Sequence, residues 1–190
     1  MSDELDKLRP FPTVVKDRVF DDPREIRRWA LSQEFLDCEA FNARHGTQES
    51  WPGSRGPSLH ATHEQFVTQF TAFVLSDVLR FPPTNFRCNC SFQLTLAGDG
   101  DSWVHRDAQL YRLAGLVYLT PRAPLDGGTL FYQETNPGEY EITDVIANRF
   151  NRLLVFDTQV PHKSHQYFGE GKEDGRLTMP FFINFELKED

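Results

Sequence analysis

From Phe86 the chain takes up a period of two: Phe86, Cys88, Cys90, Phe92, Leu94 and Leu96 alternate with Arg87, Asn89, Ser91, Gln93 and Thr95. Successive side chains of a strand point to opposite faces, so the pattern specifies extended chain with one buried side. Further short strands are predicted at 103–107, 113–120, 129–133, 152–158 and 176–185, separated by turns such as Leu125-Asp126-Gly127-Gly128. Many short strands joined by Gly, Pro and Asp turns close into a sandwich or barrel. Phenylalanine supplies 17 of the 25 aromatic residues, which suits a sheet core whose facing side chains must fill the space between layers.

The first part of the chain has a different character. Residues 1–12 are polar and proline-interrupted and read as a mobile lead-in, followed by a short strand within 13–20. Asp22, Pro23 and Glu25 have the N-cap, first-position and third-position chemistry of a helix start, predicting a helix to about Phe35. Thr62 and Gln65 form a capping-box pattern; Phe66, Val67, Phe70, Phe73, Val74 and Val78 then recur at helical spacing until Pro82-Pro83 stops the chain. Between the helices, 51–58 reads as a loop. The expected fold is α+β, mainly β: a jelly-roll core with the N-terminal helices packed outside. Residues 1–190 make one domain, with strand and helices in 1–85 and the core in 86–190.

Charge and length narrow the function. Twenty Lys and Arg against 28 Asp and Glu leave a net charge of -8, which argues against nucleic acid or an anionic membrane as partner. No apolar run approaches the roughly 20 residues that span a bilayer. Three cysteines, with Cys88 and Cys90 too close in sequence to pair easily, indicate a reduced, cytoplasmic protein. On their strand they read as small core residues. Asp99-Gly100-Asp101 reads as a turn, because the glutamate a calcium loop requires is Leu110. His60 and His63 lack the spacing of a helical zinc pair and read as solvated.

The chemistry centres on His105-Arg106-Asp107. In a strand, His105 and Asp107 project from one face, giving two metal ligands in one short segment. A third, imidazole ligand from a neighbouring strand completes the 2-His-1-carboxylate set that leaves positions open on non-haem Fe(II). His162 and His165 both follow the 152–158 strand. A His-x-Asp triplet recurs by chance, so its context decides. Downstream lie Leu113 to Thr120 with Tyr118, then Gly127-Gly128-Thr129-Leu130, then Arg152 to Phe156, then Pro161-His162, then Arg176-Leu177-Thr178. That order resembles the Fe(II)/2-oxoglutarate-dependent oxygenases, particularly the prolyl-4-hydroxylase-like branch, over Phe92 to Phe185, about half the chain.

The resemblance implies a double-stranded β-helix in which His105, Asp107 and His162 hold iron. It further implies that Arg176 pairs with the distal carboxylate of 2-oxoglutarate and that Tyr118 supports the same group. Thr178, two residues on from Arg176, shares its face and adds a hydroxyl. A guanidinium fork matches a carboxylate, which fits the assignment of Arg176. The pattern departs from close relatives in two places. Arg176 lies 14 residues after His162, a longer separation, and His165 is the alternative third ligand. Four residues after Gln93, where the family often has a tyrosine, stands Ala97, so one cosubstrate contact is absent or comes from elsewhere.

The implied activity is a dioxygenase reaction. O2 and 2-oxoglutarate are consumed, succinate and CO2 released, and a substrate C–H bond hydroxylated, with ascorbate supportive in vitro. The substrate is a small metabolite or an amino-acid side chain in a peptide. Arg55, Trp103, Tyr111 and Arg112 are candidates for its lining by position. Two other readings remain open: a non-catalytic jelly-roll interaction module, and a cupin-like metalloenzyme that does not use 2-oxoglutarate. Arg176 discriminates, since a mere barrel has no reason to set a cation opposite a His-x-Asp face.

Overall fold

The computed structural model describes residues 11–81 and 85–186. Most of the predicted lead-in over 1–12 and the Pro82-Pro83 stop lie outside the described residues. The architecture is mainly antiparallel β with a few helices. The larger sheet runs β1 (Val14–Asp17), β9 (Arg152–Asp157), β6 (Leu113–Tyr118), β11 (Arg176–Glu186), β5 (Gln93–Thr95), β3 (Ser54–Arg55) and β2 (Leu36–Asp37), with β4 (Asn85–Cys90) beside β5 on β11. The smaller sheet is β10 (His162–Ser164), β7 (Thr129–Asn136) and β8 (Glu139–Ile146).

The central strand β11 shows how the alternation builds two layers. Leu177, Met179, Phe181, Ile183 and Phe185 are buried in one cluster with Cys88, Cys90, Phe92 and Leu94 and with the helical residues Val67, Phe70, Val74 and Leu75. Phe182, on the opposite face, packs with Ala114, Leu154 and Phe156 of the larger sheet and Phe131 of the smaller one. One face of the large sheet is therefore apolar against helices. The other supplies both the inter-sheet core and, through Arg176, Thr178 and Pro180, the wall of a cavity.

The strand predicted through 86–96 is divided into β4 and β5, yet its register is continuous: Cys90 lies opposite Phe181 and Gln93 opposite Thr178. The interruption at Ser91 and Phe92 falls across from Pro180, which has no N–H to donate, although its carbonyl still accepts from the Ser91 N–H at 3.3 Å. The first helix, α1 (Pro23–Leu31), begins as its sequence dictates, with Asp22 accepting from the N–H groups of Arg24 and Glu25 and Pro23 leading. It stops at Leu31, short of Phe35, because the chain must be extended by Leu36 to join the sheet as β2.

Three expectations need correction. The capping box at Thr62 does not form: Thr62 closes the short helix α3 (Leu59–Thr62) and its hydroxyl donates back to the Ser58 carbonyl, so α4 (Glu64–Ala72) starts after His63 with no side-chain cap. The helical pattern beyond Ala72 continues as a π-helical segment, Phe73–Val78, which keeps Val74 and Leu75 buried. The loop predicted over 51–58 contains β3, because Ser54 and Arg55 pair with Leu94 and Gln93. The polar segments α2 (Cys38–His45) and β8 carry no clear apolar period in the sequence to announce them.

Candidate active site

Residues 103–107, expected as a strand, form none. His105 instead makes an isolated bridge to His162: each backbone N–H donates to the other's carbonyl, at 3.0 and 2.9 Å. The Asp107 N–H donates to Thr158 O at 2.9 Å. Those bonds fix the segment against β10 and the end of β9, so the side chains meet although the ladder is missing. One ligand atom each from His105, Asp107 and His162 lie within 4.8 Å of one another.

The proton positions follow from the backbone. His105 Nδ1 lies 3.0 Å from the Trp103 carbonyl and His162 Nδ1 lies 2.9 Å from the Val160 carbonyl. A carbonyl only accepts, so each Nδ1 carries hydrogen, which leaves Nε2 as the nitrogen available to a metal. Those Nε2 atoms stand 3.8 and 3.5 Å from the two carboxylate oxygens of Asp107. Asp107 Oδ2 is buried with no hydrogen-bond partner. Burial pushes Asp107 up to about 6, against the pull of His105 and Arg55, and pushes His162 down to about 4, helped by His105. Near neutral pH the cluster is thus one carboxylate and a neutral His162 whose lone pairs converge. A divalent cation suits this donor set, and the orphaned buried oxygen of Asp107 fits one.

His165 is exposed on the chain after β10, outside the cluster, with its N–H donating to Gly128 O. The structure therefore brings His162, and not His165, to His105 and Asp107.

Arg176 lines the same cavity, whose volume is about 630 Å³, and is only 3% exposed. Its Nε donates to Gly127 O at 2.9 Å and its Nη2 approaches Gly128 O at 3.4 Å, and no carboxylate pairs with it among the described residues. The two glycines are needed for this cradle. A Cβ on Gly128 would overlap the Ile146 carbonyl, and one on Gly127 would overlap the Phe168 ring. Tyr118 lies beside Arg176, whose Cζ is 5.7 Å from its ring centroid, and Tyr118 Oη shares a 2.7 Å hydrogen bond with Thr129 Oγ1. Burial raises the Tyr118 phenol, keeping it protonated. Thr178 is buried on the cavity wall.

Of the four candidates for substrate lining, Arg55, Trp103 and Tyr111 line the cavity, with Trp103 half exposed. Arg112 does not: its guanidinium stacks over Phe11 and Phe185, at 5.4 and 4.9 Å from their centroids. Sequence reasoning missed Tyr167, a buried side chain on the cavity wall that Arg176 also lines. Its place after β10 in an irregular segment left no periodic signal.

No protein-family model and no curated protein matches this chain. Solved structures do. A prolyl-4-hydroxylase from Pseudomonas putida superposes with a TM-score of 0.52 at 17% identity, over 97% of this chain and 96% of that one. An oxidoreductase of the 2OG-Fe(II) oxygenase family from Burkholderia pseudomallei gives 0.58 at 13% identity, over 96% and 89%. HygX from Streptomyces hygroscopicus, with nickel, 2-oxoglutarate and hygromycin B bound, gives 0.56 at 15% identity, over 90% and 82%. The fold is that of the 2OG-Fe(II) oxygenase structures, including prolyl-4-hydroxylases.

Proposed function

We propose that this protein is an Fe(II)- and 2-oxoglutarate-dependent dioxygenase that hydroxylates a C–H bond of a small metabolite or a peptide side chain. The observation that carries this reading is Arg176, a buried guanidinium without an acid partner among the described residues, on the same cavity as the His105, Asp107 and His162 cluster. An unpaired buried charge costs several kcal/mol, and a dicarboxylate that reaches the metal with one end satisfies it with the other. That requirement is what a non-catalytic module would not have. The bound neighbour HygX holds both nickel and 2-oxoglutarate, which supports the same cofactor pair here. The two-sheet arrangement supports a double-stranded β-helix with its helices outside, in one oxygenase domain of residues 1–190.

In this reading His105, Asp107 and His162 hold the iron through Nε2, a carboxylate oxygen and Nε2. When bound, iron and 2-oxoglutarate supply the oxidising chemistry, with succinate and CO2 as the by-products. The chain's own residues do the positioning. The Trp103 and Val160 carbonyls keep both imidazoles in the tautomer that offers Nε2. Gly127 and Gly128 hold the Arg176 fork on one edge, leaving donors for the distal carboxylate. Tyr118 is a protonated phenol at that end, and Thr178 adds a hydroxyl. Tyr167, buried on the same cavity wall, is the candidate for the contact that Ala97 does not make. Three free thiols support a cytoplasmic setting, and no helix among the described residues is long and apolar enough to cross a membrane.

The test is succinate formation with Fe(II), ascorbate and 2-oxoglutarate across a panel of amino acids, peptides and cell extract. Production stimulated by one class of added substrate supports the reading. Iron binding without any 2-oxoglutarate consumption favours the cupin-like alternative.

A further inference from the structure

A second cation on the cavity wall is left over once Arg176 is assigned. Arg55 belongs to β3 and lies in a cross-strand row: Arg55 is opposite Gln93, Gln93 opposite Thr178, and Thr178 opposite Tyr118. Opposed residues share a face of the sheet, so the row aims all four at the cavity side. The guanidinium is held in place from two directions. Its Cζ stacks 4.1 Å from the Trp51 ring centroid, and its Nε donates to Gln93 Oε1 at 3.3 Å, while the Gln93 amide is itself tied to Pro52 O at 3.0 Å. Both terminal nitrogens are without a protein hydrogen bond among the described residues, and Arg55 makes no ion pair there. By contrast Arg106, on the same wall, is committed to Glu134 at 2.8 Å and to Gln159 O.

We infer that the primary substrate of this site carries a carboxylate, received by the free fork of Arg55 and steadied by the aromatic wall of Phe41, Trp51, Trp103, Tyr111 and Phe182. The inference rests on the oxygenase reading only for the role of the cavity. A planar cation whose Nε edge is occupied and whose face is stacked retains the terminal edge that accepts a carboxylate. One charge is the right complement: Glu49 lines the same mouth, so a dianion such as a phosphate monoester meets an acid beside this free cation. Arg55 and the ligand cluster line one cavity, so a carboxylate held at Arg55 keeps the rest of a small molecule in the space that His105, Asp107 and His162 open onto. Burial lowers Arg55 to about 10, a pull that a bound anion reverses.

The experiment uses protein loaded with Mn(II) and saturated with 2-oxoglutarate, so that Arg176 is occupied, and titrates two matched pairs by calorimetry. One pair is N-acetyl-L-phenylalanine and its amide; the other is a blocked pentaalanine with a central glutamate or glutamine. The expected result is a preference for the acid over its neutral partner of about 10- to 100-fold in at least one pair, and which pair shows it separates a small-molecule from a peptide source. Arg55→Gln abolishes that preference while 2-oxoglutarate affinity stays within about twofold, and Arg55→Lys retains part of it because the charge remains without the fork. If Arg55→Gln fails a circular-dichroism check of folding, the Lys variant decides, with a severalfold loss expected. Absence of acid preference in both pairs, including absence of binding, overturns the inference, as does a preference that survives substitution of Arg55. Failure of the wild-type protein to bind 2-oxoglutarate would overturn the oxygenase reading instead, leaving the Arg55-dependent preference to be read by itself.

Discussion

Replacing Asp107 by asparagine should make the metal-free protein more stable while destroying its metal affinity. Burial raises this carboxylate from 3.8 to about 6, and its side chain is only 12% exposed, so solvent screens little of the effect. A shift of about two units at about 1.36 kcal/mol each makes the ionised form on the order of 3 kcal/mol less favourable folded than unfolded. The sign follows from the direction of the shift. The folded group binds its proton more tightly than the unfolded one, so wild type loses stability as pH rises from near 4 through about 6, and the loss is complete above that. In Asp107→Asn the side chain carries no charge and escapes that loss, and its amide N–H can donate to an Nε2 lone pair that the carboxylate only faces. For a chain of this size 1 kcal/mol moves Tm by about 2–4 °C, so the variant should melt up to about 6–12 °C higher at pH 8 in chelator and nearly level with wild type at pH 4. Scanning calorimetry at both pH values, repeated with Ni(II), measures it. Nickel should raise the wild-type Tm and leave the variant unmoved. A variant less stable than wild type at pH 8 without metal, or a gain that is the same at pH 4, would refute the reasoning.

Three further predictions follow from the geometry. His162→Ala should lose metal while His165→Ala keeps it, read as metal content after anaerobic loading, because of these two histidines His162 alone faces Asp107. Gly128→Ala should weaken 2-oxoglutarate binding by about tenfold or more with metal affinity retained, since the added methyl displaces the carbonyl cradle of Arg176; equal affinity would show that the cradle is dispensable. Tyr118→Phe and Tyr167→Phe should each cost roughly tenfold in 2-oxoglutarate affinity, the value of one hydrogen bond to a charged group, and a null effect at Tyr167 would remove it from the cosubstrate site.

The alternation from Phe86 to Leu96 made the apolar face legible, and Cys88, Cys90, Phe92 and Leu94 lie on it. What it concealed was the break opposite Pro180, since pairing partners are not written into a strand's own pattern. The ligand cluster was legible for a reason that differs from the strand geometry that pointed to it. As alternate residues of a strand His105 and Asp107 would meet on one face; they meet because one bridge to His162 and one bond to Thr158 hold an irregular segment. Arg176 was singled out by the motif order that resembles the oxygenases, and the buried Leu177, Met179 and Phe181 turn it to the opposite face of its strand. Arg112 offered the same charge in the same neighbourhood, and only the fold shows that its stem leads away to Phe11 and Phe185. Tyr167 and β8 carried no period at all, and their places are set by tertiary contacts.

In the proposed function one cavity holds a metal at His105, Asp107 and His162 and a dicarboxylate at Arg176. Anaerobic titration of Fe(II)-loaded protein with 2-oxoglutarate, followed by the visible charge-transfer absorbance, tests both halves together. The band should develop to saturation in wild type. In Arg176→Lys it should need modestly more 2-oxoglutarate, and in Arg176→Leu roughly two to three orders of magnitude more, with iron content unchanged in both. A wild-type protein that binds Fe(II) but develops no band, or an Arg176→Leu protein that titrates like wild type, would contradict the account.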